Sequence, residues 1–214
     1  MKKLISLLLV CCIAIADDNE IYVDQAGASS SIDLEQLGSG NIIGGLLSAH
    51  GSMTPFDLDG ATMTLDVNLI GNNNKMLGDI NSDTFTGLFD FDGDTNSYTI
   101  QVDPTNTYSA DSSNVNVNVD GSSNAMTLDL ATSSLASGAD VDTIVQGNSN
   151  TVNIDLDVDS AVNYMDIDGD SNTVNYDGNG YAGAYFKLEH DGSSRAFEVD
   201  QQSTLENDWL RVIS

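Results

Sequence analysis

The sequence predicts an all-β protein: an irregular β-solenoid of stacked strand–turn–strand repeats of about 22 residues, ending in a C-terminal capping hairpin. Three observations predict it. The first is strict alternation. In Val152-Asn153-Ile154-Asp155-Leu156-Asp157-Val158-Asp159 every second residue is apolar and every residue between is Asn or Asp. Val115 to Asp120, Met63 to Leu69 and Met126 to Leu130 repeat the pattern. Such a period of two sends one set of side chains to a core and the other to water. The second observation is that no stretch of comparable length carries a 3.6-residue period.

The third is a recurring Gly-x-x-Asn. It pairs Gly38 with Asn41, Gly71 with Asn74, Gly93 with Asn96, Gly121 with Asn124, Gly147 with Asn150 and Gly169 with Asn172. Gly192-Ser193-Ser194-Arg195 is a related turn. Glycine supplies the positive φ of a tight turn, and Asn or Ser can bond the turn's own backbone. The step is 22 residues from Gly71 to Gly93 and from Gly147 to Gly169, and longer elsewhere. A period in this range is the signature of stacked repeats. A β-sandwich or jelly roll with unrelated hairpin turns is the competing architecture.

Residues 1–16 read as a signal peptide. Lys2 and Lys3 precede the apolar run Leu4 to Ile13, and Ala14-Ile15-Ala16 places small residues where a signal peptidase cuts. The run is shorter than the roughly 20 residues that span a bilayer. Residues 17–180 then form the acidic repeat domain, and residues 181–214 the C-terminal hairpin and capping segment. The expected location is extracellular: a bacterial outer surface or a virion. Cleavage would remove both cysteines, Cys11 and Cys12, so stability has to come from backbone pairing and apolar packing.

Charge narrows the partners. The formal charge is −27, and loss of Lys2 and Lys3 takes it to −29. Only Lys75, Lys187, Arg195 and Arg211 then remain as cations. Phosphate neutralisation needs clustered Lys and Arg, so nucleic acid and anionic membrane are excluded. Divalent cations, neutral glycans, another surface subunit and further copies of the chain stay open.

Gln36-Leu37-Gly38-Ser39-Gly40-Asn41 and Gln146-Gly147-Asn148-Ser149-Asn150, with Ile21-Tyr22-Val23-Asp24-Gln25, resemble curlin repeats. Curlin-like repeats also occur in marine bacterial and phage proteins. The resemblance touches most of residues 20–176 and implies a stacked β architecture in a secreted fibre subunit. Curlin ladders are regular and rich in Gln, whereas these repeats vary in length and place Asp on most outward positions.

Two segments share D-x-D-G-D-x-N, the opening of a calcium loop: Asp90, Asp92, Asp94 and Asn96, and Asp166, Asp168, Asp170 and Asn172. Ca²⁺ takes 6–8 oxygen ligands from alternating positions. Thr95 and Ser171 replace the loop glycine, and Gln101 and Asp177 stand where a bidentate Glu belongs. Decorated turns are the plainer reading. No cofactor is otherwise indicated, with Ca²⁺ the one candidate. Catalysis is not expected. His50 and His190 are the only histidines, His190 beside a turn where an exposed residue is expected, and neither G-x-S-x-G nor H-E-x-x-H occurs.

Near the C-terminus, Tyr185 to Glu189 and Ala196 to Asp200 flank Asp191-Gly192-Ser193-Ser194 and read as a hairpin. Ser203-Thr204-Leu205-Glu206 has capping-box spacing before Trp209, Leu210, Val212 and Ile213, which read as a cap over an open core or a docking segment. The functional expectation is an exported structural or adhesive surface protein that self-associates or joins a fibre or appendage. A secreted calcium- or carbohydrate-binding module, or a virion adhesion protein, is the alternative.

Overall fold

The computed structural model describes residues 20–44, 54–104, 109–131, 136–180, 183–203 and 209–213. The signal-like residues 1–16, His50 and the capping-box residues Thr204 to Glu206 lie outside the described residues. The described chain holds strands and turns and no helix, and it winds into a β-solenoid of about 7 turns.

Each coil has two arms. The first-arm strands are β3 (Ser29–Leu37), the later parts of β5 (Phe56–Ile70) and β6 (Lys75–Asp92), β8 (Asn114–Asp120), β11 (Asp140–Gln146), β13 (Val162–Asp168), β15 (Tyr185–Asp191) and β17 (Trp209–Ile213). The second-arm strands are β1 (Glu20–Ile21) with β2 (Asp24–Ala26), β4 (Ile42–Ile43) with the start of β5, the start of β6, β7 (Ser97–Val102), β9 (Ala125–Leu130), β12 (Thr151–Asp159), β14 (Thr173–Gly180) and β16 (Ala196–Ser203). The short β10 (Ala136–Ser137) extends the second arm by pairing with the end of β12. Every pairing is parallel.

The alternation sets the core. In β12 Val152, Ile154, Leu156 and Val158 are buried, while Asp155, Asp157 and Asp159 face outward. Those three are half-buried instead of fully exposed, because neighbouring coils shield their flanks. Inward columns from the two arms meet in one core, where Phe91 stacks on Tyr98 at 3.7 Å and Tyr176 on Phe186 at 4.1 Å. Gly78 makes room for Phe56, whose Cζ lies only 2.1 Å from where a Cβ would stand.

The expected hairpin at residues 185–200 is not formed. β15 pairs with β13 and β17, and β16 pairs with β14, so the two strands never pair with each other. Gly192 to Arg195 is a further corner of the solenoid, and the C-terminal segment continues the stack. A turn of this length closes a hairpin or a solenoid corner equally well. The decision falls to the inward columns, since Phe186 and Phe197 each gain a parallel neighbour in Asn163 and Val174 on the coil before.

Candidate functional site

Two polar columns run the length of the solenoid. The first lies inside, at the Gly-x-x-Asn corner. The corner needs positive φ twice, at the glycine (130° at Gly71) and at the residue before the Asn (59° at Asn73). The glycine is also required by stacking, because a Cβ on Gly71 would sit 2.0 Å from the Gly38 carbonyl oxygen.

The corner Asn is buried, and at Asn41 and Asn74 it closes its own turn. Asn41 Nδ2 donates to the Gly38 carbonyl at 2.7 Å, and Asn74 Nδ2 to that of Gly71 at 2.8 Å. Each Oδ1 then accepts the backbone N–H of the corner Asn one coil earlier. Asn74 accepts from Asn41 at 2.9 Å, Asn96 from Asn74 at 2.7 Å, Asn124 from Asn96, Asn150 from Asn124 and Asn172 from Asn150, each of the last three at 2.8 Å. These links span 33, 22, 28, 26 and 22 residues of sequence. Asn124, Asn150 and Asn172 donate Nδ2 to the glycine carbonyl of the coil before, so stacking gives these buried amides a partner at both ends, whereas the buried Asn96 Nδ2 has none among the described residues. Arg195 takes the next position and donates to the Gly192 carbonyl at 3.0 Å.

A parallel ladder runs one residue past each glycine. Asn72 Oδ1 accepts the N–H of Asp94 at 2.6 Å, and Asp94 Oδ1 that of Ser122 at 2.6 Å. Asp170 Oδ1 accepts both the N–H and the hydroxyl of Ser193, at 2.7 and 2.8 Å. These bonds favour the ionised form and hold the Asp170 carboxyl below the usual range.

The expected calcium sets are therefore divided. Asp90, Asp92, Asp166 and Asp168 are exposed on the first arm, where Asn118 Nδ2 donates to Asp90 Oδ1 at 3.0 Å. Asp94 and Asp170 are engaged in the turn ladder. Asn96 and Asn172 point inward with Oδ1 bonded to backbone. Among the described residues, no group of three or more His, Cys, Asp or Glu side chains is arranged to hold a metal ion. His190 is also placed differently from expectation. It is buried on an inward column, edge-on to Phe197 at 5.2 Å, with Nδ1 3.4 Å from an Arg195 guanidinium nitrogen.

The second column lies outside, along the second arm. Register aligns Asp24, Asp57, Asp79, Gln101, Asp129, Asp155, Asp177 and Asp200, one residue per coil. Adjacent strands lie about 4.8 Å apart, and two carboxylates at that spacing repel by roughly 1 kcal/mol even in water. Burial, reinforced by Asp157, Asp177 and Asp129, pushes the Asp155 carboxyl up to about 6. Burial raises Asp57, helped by Asp59 and Asp24, and raises Asp79, helped by Asp57. Burial also raises Asp129, against the hydrogen bond from Gln101 Nε2 at 3.3 Å. Asp155, Asp177, Glu198 and Asp200 line a shallow groove on this face with Asn153 and Asn175.

This carboxylate column was not singled out in the sequence, although a signal for it exists. Asp79, Asp129, Asp155 and Asp177 each stand five residues after a corner Asn, and Asp200 five after Arg195. Compared with known proteins, the chain matches no family model, no curated protein and no solved structure.

Proposed function

We propose that this protein is an exported structural subunit of a surface assembly, built to associate with further copies of itself. The observation that carries the reading is the exposed apolar surface on the outermost strands among the described residues. β17 lies at the edge of the stack with Trp209, Leu210, Val212 and Ile213 exposed at 68, 53, 46 and 36 %. An exposed apolar edge strand is a template for pairing with another chain. At the other end Val23, Ile32 and Leu34 are only partly buried against the core. The acidic flanks keep lateral contacts between solenoids weak and leave the ends as the places to associate. Sedimentation velocity across a concentration series tests this: growth into long, unbranched species is expected, and a monomer at every concentration would overturn it.

The carboxylate column supports a second reading, as a surface that takes up divalent cations from its surroundings. Millimolar CaCl₂ is then expected to raise Tm more than NaCl of equal ionic strength, by mass action on the folded state. Equal shifts in the two salts would reduce the column to a solubility device. Neutral glycans remain the other ligand class suited to so acidic a face, and a glycan array tests them.

A further inference from the structure

The two ends of the described solenoid are unequal. The first coil begins with a second arm alone, β1 and β2, which pair on one edge with β4 and β5. The last coil consists of a first arm alone, β17, which pairs on one edge with β15. The N-terminal end is thus stepped on the second-arm side, and the C-terminal end is stepped on the first-arm side. A second copy placed in continuation fills both steps at once.

Resting on the self-association proposed above, we infer that the contact is head to tail. β17 of one copy and β1–β2 of the next then complete one composite coil. Both arms are joined: β17 to the next copy's β3, and β16 to its β1 and β2. All strands run parallel, as they do within the chain.

Register follows from the columns. Within the chain Asp33 pairs with Asp66, and Lys187 pairs with Arg211, and all four belong to the same outward first-arm column. Continuing that column sets Arg211 of one copy beside Asp33 of the next. Leu210 then meets Ile32 and Val212 meets Leu34, so inward positions meet inward positions and the half-exposed ends of the core are covered. On the second arm Phe197 meets Ile21 and Val199 meets Val23. Charge distribution favours the same partner. Lys187, Arg195 and Arg211, three of the four cations after residue 16, lie in the last coils, whereas Glu20, Asp24, Asp33 and Glu35 lie in the first. One contact opposes closure: Asp200 is set beside Asp24, a like-charge pair at strand spacing.

The register is testable by charge exchange in the purified full chain, with assembly followed by sedimentation and Tm as the control for folding. Arg211→Asp and Asp33→Arg, each of which also replaces a like-charge neighbour within the chain, are expected to raise the concentration needed for assembly about fivefold or more without lowering Tm, and the double exchange to restore it. Leu210→Asp, which places a charge on a side chain exposed in the single chain and buried at the junction, is expected to abolish growth. Asp24→Asn is expected to lower the required concentration about fivefold by removing the like-charge contact. Assembly of the wild type that ignores all four substitutions overturns the composite coil while leaving self-association intact. Single exchanges that weaken assembly without rescue by the double overturn the register. A wild type that never assembles overturns both readings.

Discussion

The corner asparagines and the outer aspartates occupy equivalent situations in the fold, and stacking treats them oppositely. Each column places one polar side chain per coil in register along the same axis. Asn carries a donor and an acceptor, so its Oδ1 takes a backbone N–H of the coil before while its Nδ2 can reach a glycine carbonyl, and the column tolerates full burial. An ionised Asp carries acceptors alone, so each coil added brings a like charge beside the last. A ladder of identical polar residues is stabilising where the stacked backbone offers partners to the side chain's donor and acceptor.

The sharpest way to break the comparison is to exchange the two chemistries at the inner column. Asn124→Asp keeps the acceptor for the Asn96 N–H but loses the Nδ2 donation to the Gly93 carbonyl and buries a charge. It is expected to cost about 3–5 kcal/mol at pH 7, with part of the loss recovered at pH 4. Asn124→Ala removes both bonds and should cost roughly 2–4 kcal/mol at either pH. Chemical denaturation at the two pH values separates these outcomes, and a pH-independent Asn124→Asp would refute the burial of that site.

The outer column makes the wild type itself pH-dependent, in a direction unusual for an acidic protein. Asp155 titrates near 6 when folded and near 3.8 when unfolded, so between those values the native state binds more protons than the unfolded state. Stability therefore falls as pH rises through that window. The penalty is absent below about pH 4 and complete above about pH 6. Asp57, Asp79 and Asp129, also raised, act with the same sign. Asp170, lowered, acts oppositely and only as pH falls below the ordinary carboxylate range. Scanning calorimetry is expected to give a higher Tm at pH 4.5 than at pH 7.5, and a lower one would sink the electrostatic account of the column.

Relieving one member should reproduce part of that gain at neutral pH. Asp155→Asn removes a charge beside Asp129 and Asp177 and introduces an amide that can bond along the column. Discounted for solvent screening at this partly exposed site, it should stabilise by about 1–2 kcal/mol and flatten the pH dependence. The smallest effect is expected where the column is already interrupted. Gln101→Asp loses the bond to Asp129 and completes a run of carboxylates from Asp79 to Asp129. It should cost about 0.5–1 kcal/mol, with the loss shrinking in high salt.

Within a coil, the sequence is legible because strand and corner are local. Alternation in Val152 to Asp159 fixes which side chains enter the core, and Gly-x-x-Asn marks each corner because its backbone needs positive φ at the first and third residues. The difficulty begins between coils. Asp191-Gly192-Ser193-Ser194 suits a hairpin as well as a corner, and only the neighbours of Phe186 and Phe197 decide it. The calcium-like pattern at Asp90 and Asp166 was legible as spacing, yet spacing does not say that Asn96 and Asn172 turn inward.

The sequence by itself thus determined an all-β chain, the register of each strand's faces and the places where the chain turns, since these depend on residues within a few positions of one another. Tertiary structure alone decided which strands lie side by side. Extra residues sit between Gly44 and Phe56, between Val102 and Asn114 and between Leu130 and Asp140. Equivalent corners are consequently 33, 28 or 26 residues apart as well as 22. The aspartate column keeps a fixed offset of five residues from the corner Asn, and a constant repeat period counted across those insertions hides it. Parallel pairing aligns coils by their shared corner hydrogen bonds and core contacts, and is indifferent to the number of residues between them in the sequence.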